Sequence, residues 1–345
     1  MNQSRLEAAA ELLGPVGLLV LVGVVGAFTT AGTAVEFRNT LLSATIVIAL
    51  YVFMGTSGVL SFGHVSFVAV GAFVAGLATV DKIQKAAVSS DMFGFLRDLH
   101  TSSPVSLVLA AAVGGVYAFL VGVPLMRLSG LAAGIATFAV LGITYNVLEY
   151  WTKVGPGAKT LPLVPETTDL VQATVGAVAA AAIAFAYQRS RWGRQLRASR
   201  EDPAAARASG VNIHRQRLWA FTLSGALAGF AGGLYVHFLG YITASLVYLD
   251  LTLLTLAMLV VGGAGSLWGA VVGALAVSAL DSFLAEGEAG IELGGRTLDL
   301  PAGTRIIVVG AAMALVLILR PAGLTGGREL RLPRLRRREQ EEAAA

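Results

Sequence analysis

The side chains that could do chemistry are concentrated in one glycine-rich stretch near the start of the chain. It reads Gly55-Thr-Ser-Gly58-Val-Leu-Ser61-Phe-Gly63-His64. Ser61 and His64 are three residues apart and would share one face of a helix. Two chemistries suit these residue types. One is hydrogen bonding to a polar solute, and the other is attack by a serine hydroxyl whose proton a histidine accepts.

The glycines favour the first chemistry. Glycines at this density interrupt a helix, and at membrane depth an interruption is tolerated only where the freed backbone groups face protein or a watery cavity. Broken helices of this kind often line the substrate path of transporters. We therefore interpret Gly58, Ser61, Gly63 and His64 as candidate pathway residues. The alternative is a packing kink in which His64 bonds a neighbouring carbonyl.

Two short motifs imitate enzyme sites but fail in their details. The tetrapeptide Gly55–Gly58 matches the sequence around the nucleophile of rhomboid-type intramembrane proteases, but only His237 lies inside a distant span as a base for Ser57. The hexapeptide Gly155–Thr160 resembles a phosphate-binding loop, but Ala158 stands where glycine must precede the lysine. We predict no catalytic residue, and if ATP drives this protein we expect another chain to bind it.

The second unusual feature is an arginine-rich segment, residues 189–218, between two apolar runs. It contains eight Arg. Pro203 suits the first turn of a helix, Asp202 can cap that helix, and Gly210 can end it in a left-handed conformation. A short helix with its own start and stop favours a docking role. The alternative is a belt of arginines on anionic lipid headgroups, which explains the charge but not the caps.

The elements that must position both segments are apolar helices. The 345-residue chain is 56% hydrophobic and 13% charged, about half the charged share of a soluble domain. Its apolar runs do not alternate as barrel strands would, and several reach the roughly 17–25 residues of a membrane-crossing helix. We predict one all-α polytopic membrane domain over residues 1–345, with about eight to ten transmembrane helices, some of them broken or re-entrant. The expected spans are 12–34, 41–55, 65–80, 104–127, 130–150, 170–188, 219–240, 249–264, 266–284 and 304–319.

Positive charge sets the expected orientation, because arginine-rich loops stay in the cytoplasm. The arginine-rich segment and the basic tail, residues 320–345, should therefore both be cytoplasmic. An even number of crossings must then join them. That number is even only if the run 249–284 breaks and returns near Gly262–Gly265, so we predict a tight turn or broken helix there.

Composition excludes several other classes. The pI near 9.5 does not indicate nucleic-acid binding, because the arginines cluster beside predicted spans. The chain has no Cys and only four scattered His, so we expect neither a disulfide framework nor a metal or cofactor site. Small residues also recur every four positions. We interpret these stripes as helix packing within the chain, or as an interface between subunits. They are Gly225/Gly229/Gly233, Ala220/Ser224/Ala228/Gly232 and Gly265/Gly269/Gly273.

Five segments carry further motifs in a fixed order along nearly the whole chain. They are Gly58–Phe73, Gly193–Ile213, Ala220–Gly232, Gly262–Gly269 and Arg320–Gly326. Together they resemble the branched-chain amino acid ABC importer permeases of the LivM type. The resemblance implies a permease subunit of the bacterial plasma (inner) membrane. It also implies a homologous second permease, two cytoplasmic ABC ATPases and an extracytoplasmic solute-binding protein as partners, besides membrane lipid.

The resemblance also suggests roles for residues. Segment 201–210 would correspond to the coupling helix that sits in a cleft of the ATPase, and the candidate coupling residues are Arg197, Glu201, Asp202, Ala205 and Gly210. Urea and short-amide importers share this permease type, so the solute stays open. A secondary transporter acting alone is the other hypothesis. The lack of a charge deep in a span argues against its proton-coupled form.

Overall fold

The computed structural model describes residues 3–289, 291–293, 296–298, 300–301 and 303–330, and almost all of these lie in helices. A short 3-10 turn at Ala244–Val247 and an antiparallel hairpin of β1 (Ile291–Leu293) and β2 (Arg296–Leu298) are the other regular elements there. The α-helices of this part of the chain are α1 Gln3–Ala27, α2 Ala31–Ser57, α3 Val65–Thr79, α4 Lys82–Val88, α5 Gly94–Asp98, α6 Ser103–Leu125, α7 Gly130–Tyr150, α8 Leu170–Arg189, α9 Arg191–Glu201, α10 Pro203–Ala208, α11 Ile213–Leu239, α12 Leu249–Gly262, α13 Leu267–Ala289 and α14 Thr304–Leu319.

The predicted class of fold is confirmed. Seven helices in the described residues are long and apolar enough to cross a membrane, and three shorter apolar helices accompany them. These are ten apolar helices in the described residues, and the predicted number of about eight to ten crossings stays a prediction. The predicted return at Gly262–Gly265 is also present, because α12 ends at Gly262 and α13 begins at Leu267. The two helices pack closely, and a Cβ on Gly262 would lie 2.7 Å from the Cα of Gly273.

The predicted boundary between the first two spans is wrong. We expected spans 12–34 and 41–55, but α1 ends at Ala27 and α2 already begins at Ala31. Two charged residues near the start of α2 have partners on other helices. Glu36 accepts a hydrogen bond of 2.6 Å from the Ser282 hydroxyl, and the Arg38 guanidinium lies 5.5 Å from the centre of the Phe238 ring. Partnered charges near a helix end therefore do not require a loop.

Helix α11 is the central packing element, and its glycines allow close approach of neighbouring backbones. A Cβ on Gly229 would lie 2.3 Å from the Ala110 carbonyl oxygen of α6, and one on Gly232 would lie 2.1 Å from the Val68 carbonyl oxygen of α3. Contacts this short leave no room for a side chain. The small-residue stripes of α11 therefore serve packing within the chain, as the first of our two interpretations expected.

The bundle has two distinct ends. At one end the Arg189 guanidinium pairs with Glu11 near the start of α1, at 2.6 Å. We call it the arginine-rich end, because α9 and α10 lie there. At the opposite end, the short helices α4 and α5 are held together by Lys85, whose buried ammonium group donates to the carbonyl oxygens of Leu96 and Leu99. Burial lowers the pKa of Lys85.

Candidate solute pathway and docking segment

The glycine-rich stretch forms a true interruption between α2 and α3, which we call the first break, residues 58–64. Helix α2 ends where Gly58 adopts a left-handed conformation with φ +69° and donates its N–H to the Met54 carbonyl. The Ser57 hydroxyl then accepts a hydrogen bond from the Val59 N–H, at 3.1 Å. These bonds close the end of α2 and direct the chain back into the bundle.

The far end of the first break is packed tightly against the middle of α7. The Phe62 N–H donates to the Thr137 hydroxyl at 3.1 Å. A Cβ on Gly63 would lie 1.9 Å from the Thr137 carbonyl oxygen, so only glycine fits at this position. The irregular backbone is therefore buried in protein, which is the condition for such backbone at membrane depth.

His64 is buried at the end of the first break, and within the described part of the chain one of its two ring nitrogens has a partner. Its Nε2 lies 3.2 Å from the Ser224 hydroxyl, which itself donates to the Ala49 carbonyl. Because that hydroxyl has a single proton, Nε2 must be the donor, and Nδ1 is left as an acceptor. Among the described residues, neither His64 Nδ1 nor the Ser61 hydroxyl has a hydrogen-bond partner, and both are buried. The packing alternative expected a carbonyl as the partner of His64, and the structure has Ser224 instead.

The two enzyme-like motifs lie far from any matching partner. His237 donates from Nδ1 to the Pro165 carbonyl at 3.0 Å, and its Nε2 lies 2.9 Å from the Ser106 hydroxyl. Both of its ring nitrogens therefore have partners, and it lies at the opposite end of the bundle from Ser57. The Lys159 ammonium group donates to the Val88 carbonyl, also at the opposite end. Within the described residues, no group of three or more His, Asp or Glu could hold a metal ion.

The arginine-rich segment contains the predicted short helix, with its caps in the predicted positions. The Asp202 carboxylate accepts hydrogen bonds from the N–H groups of Ala204 and Ala205, at 2.8 and 3.0 Å. Gly210 has φ +78°. We missed the preceding helix, α9, although its signal is present. Ser190 caps its start, and its buried residues recur every three positions at Gly193, Leu196 and Ser199.

The two helices of this segment differ in exposure. Helix α9 packs its buried face on α2, α8 and α11. Every residue of α10 except Ala206 is exposed, as are Glu201, Asp202 and Gly210. Since a six-residue helix gains little stability alone, its regular caps and open surface are typical of a docking element.

The docking element and the first break are directly connected through the end of α9. The Arg200 guanidinium donates to the Gly55 carbonyl at 3.0 Å, although the two residues are 145 positions apart. The Arg200 side chain also covers Gly58, since a Cβ there would lie 2.9 Å from Arg200 Cγ and Cδ. One turn earlier, the Arg197 guanidinium donates to the Gln188 carbonyl at the end of α8, at 3.3 Å. No local sequence pattern links Arg200 to the first break.

The second break, residues 263–266 between α12 and α13, is closed by the chain's own C-terminal segment. The Leu324 N–H donates to the Val261 carbonyl at 2.8 Å, and the Thr325 hydroxyl donates to the Gly262 carbonyl at 2.8 Å. The Glu329 carboxylate accepts from the N–H groups of Leu267 and Trp268, and it complements the positive end of the α13 dipole. Of the predicted basic tail 320–345, residues 331–345 lie outside the described part.

A multi-pass helical protein with a buried helix break and an exposed capped helix at one end has the architecture of a membrane permease. The sequence model described as "Branched-chain amino acid transport system / permease component" matches residues 37–317, so the chain belongs to that family. It is therefore a permease subunit of an ABC importer and a multi-pass protein of the bacterial plasma membrane.

Individual relatives agree with this assignment. The chain is 25% identical to the high-affinity branched-chain amino acid transport system permease protein LivM of Escherichia coli K12, over 90% of this chain and 73% of LivM. It is 31% identical to a probable LivH permease of Methanocaldococcus jannaschii, over 43% of this chain and 44% of LivH. The autoinducer 2 import system permease LsrC of Enterobacter sp. 638 is 29% identical, over 53% of this chain and 56% of LsrC. No solved structure matches the chain.

Proposed function

We propose that this chain is the transmembrane path for branched-chain or related amino acids, which an extracytoplasmic binding protein delivers. A homologous second permease would complete the path, and two cytoplasmic ABC ATPases would dock on the two permeases. The observation that carries the proposal is the exposed, capped helix α10 and its connection through Arg200 to the first break. The names of the LivM relatives supply the solute class.

In this mechanism the permease alternates between two packings. ATP binding closes the ATPases and moves α10, and α9 moves with it because short packed helices shift as rigid bodies. The shift reaches the first break, where the packing of residues 58–64 changes and opens the path on one side of the membrane. The arginine-rich end faces the cytoplasm, in line with its charge.

The first break would offer the solute weak and transient contacts. Buried polar atoms without a partner are costly, so the Ser61 hydroxyl and His64 Nδ1 favour a passing hydrogen-bond donor. The ammonium group of an amino acid is such a donor. An amide N–H is another, so urea or a short amide remains the alternative solute. Titration calorimetry of the cognate binding protein with leucine, urea and acetamide separates these solutes.

Reconstitution tests the proposed function. The assembled complex is placed in proteoliposomes with ATP on the side of the ATPases and the binding protein on the opposite side. It should accumulate the solute that the binding protein binds. The purified chain alone should not. Uptake by the chain alone, driven by a proton or sodium gradient, would instead establish the stand-alone secondary transporter.

The double variant Glu201→Ala/Gly210→Ala tests the docking surface. Both residues are exposed, and Gly210 has φ +78°, so an alanine there strains the end of α10 without creating a clash. We expect uptake to fall by about tenfold, the equivalent of one disturbed contact of about 1.4 kcal/mol, while insertion and yield are unchanged. The matched control is Gly130→Ala, another open glycine, with φ +59°, at the start of α7. Full ATP-driven uptake by the double variant would remove these residues from the docking surface.

A further inference from the structure

Helix α2 ends with a carbonyl group that its own helix does not satisfy. In a continuing helix, the Gly55 carbonyl would accept the N–H of residue 59. Here the Val59 N–H donates to the Ser57 hydroxyl instead, because the chain turns at Gly58. The Gly55 carbonyl accepts its hydrogen bond from the Arg200 guanidinium, at 3.0 Å.

This pairing is favourable for two separate reasons. The C-terminal end of a helix carries partial negative charge, so a guanidinium there is attracted to the helix dipole as well as to the carbonyl. The stem of Arg200 also covers Gly58, where a Cβ would lie 2.9 Å from Arg200 Cγ and Cδ. A glycine at position 58 therefore allows both the left-handed turn and the close approach of the Arg200 side chain.

The contact is also able to change. The Arg200 side chain is 41% exposed, and the Glu201 carboxylate lies 3.9 Å from its Nε. The guanidinium can thus exchange the Gly55 carbonyl for water or for Glu201 when α9 shifts. Arg200 is in the last turn of α9, one residue before Glu201 and two before Asp202, which caps α10. A displacement of α10 reaches α9 through this point.

We propose that Arg200 is the positioning residue that transmits the movement of α10 to the first break. It holds the end of α2 in one packing while it donates to Gly55, and it releases the break when α10 is displaced. This role rests on the proposed function, since it requires ATPases that move α10. It adds a specific contact through which that movement reaches the pathway.

The first test compares three variants of the assembled complex in proteoliposomes. Arg200→Met keeps much of the stem but removes the donors and the charge, and we expect solute taken up per ATP hydrolysed to fall about tenfold. Arg200→Lys keeps the charge and an ammonium donor but loses the planar guanidinium, and it should restore part of that ratio. Arg194→Met removes an exposed arginine of the same helix, and it should leave the ratio unchanged.

The outcomes separate this inference from the proposed function. If the wild-type complex shows no ATP-driven uptake, the proposed function fails. If the wild type transports and Arg200→Met keeps the wild-type ratio of uptake to hydrolysis, only the role of Arg200 is overturned. The same conclusion follows if Arg200→Met and Arg194→Met lower the ratio equally.

A second measurement uses the wild-type complex, so it holds even if Arg200→Met does not assemble. Amide hydrogen exchange should change in residues 200–210 and in residues 55–64 together when the ATPases bind ATP. A merely structural contact would leave residues 55–64 unchanged while 200–210 respond. That result would overturn the proposal.

Discussion

The chain turns next to a glycine at both helix breaks of the arginine-rich end. The two breaks differ in the part of the molecule that forms hydrogen bonds to the helix ends. The first break is covered by the side chain of Arg200, from a segment whose neighbouring helix α10 is almost wholly exposed. The second break is closed by backbone and side-chain hydrogen bonds from Leu324 and Thr325, and by the Glu329 carboxylate. The first break is joined through Arg200 to the segment that carries the exposed helix α10, and the second is hydrogen-bonded to the C-terminal segment of the same chain.

We interpret the first break as a hinge, where the packing of the helices changes, and the second break as a fixed connection. The connection of the first break to α9 runs through one partially exposed side chain, that of Arg200. At the second break several hydrogen bonds would have to open together, so α12, α13 and the C-terminal segment should move as one unit.

The largest loss of stability is expected at the end of the first break that packs against α7. Gly63→Ala places a Cβ 1.9 Å from the Thr137 carbonyl oxygen, and a backbone atom of α7 cannot yield as a side chain would. We expect a loss of about 3 kcal/mol or more in stability, and little folded protein. Gly142→Ala, on α7 with open space around it, is the control. Melting temperature and yield in detergent compare the two, and equal values would contradict tight packing at this end of the break.

The two buried histidines give the next comparison. Both ring nitrogens of His237 have protein partners, whereas Nδ1 of His64 has no hydrogen-bond partner among the described residues. We expect His64→Ala to lower uptake per folded complex several-fold, which corresponds to about 1 kcal/mol. His237→Ala should lower the melting temperature but leave uptake per folded complex unchanged. If both variants lose only stability, His64 is a packing residue as well.

The smallest effect is expected at the second break. Thr325→Val keeps the shape of the side chain but removes the hydrogen bond from its hydroxyl to the Gly262 carbonyl, 2.8 Å long. We expect a loss of about 1 kcal/mol in stability and no change in uptake per ATP hydrolysed. A fall in that ratio, comparable to the one expected for Arg200→Met, would mean that the second break is a hinge too.

Local signals in the sequence predicted much of this arrangement. Charge and parity placed the return at Gly262–Gly265, and the residue types Asp202 and Gly210 predicted both ends of α10. The cap predictions succeed because a cap depends on residues close in sequence. The predicted return succeeds because it depends only on charge and on the number of apolar runs. The predicted start of α2 was wrong, and the local sequence does not reveal that Glu36 accepts a hydrogen bond from the distant Ser282 hydroxyl.

The link between the two candidate sites could not be predicted in this way. Arg200 and Gly55 are 145 residues apart, and nothing in either local pattern selects one arginine among eight. Ser224 appeared in the sequence only as a member of a small-residue stripe, and its bond to His64 depends on how α11 packs on the first break. Contacts of this kind depend on how distant helices pack together, which the local sequence pattern of one helix does not reveal.

The most direct test of the account is a crosslink from α10 in the working complex. The chain has no native Cys, so Ala205→Cys gives one thiol on an exposed residue, which can carry a photoactivated crosslinker. The account predicts an adduct with an ATPase subunit, and none from Lys159→Cys at the opposite end. Ala205→Cys that reacts with lipid or solvent alone, in vesicles that still accumulate solute, would contradict it.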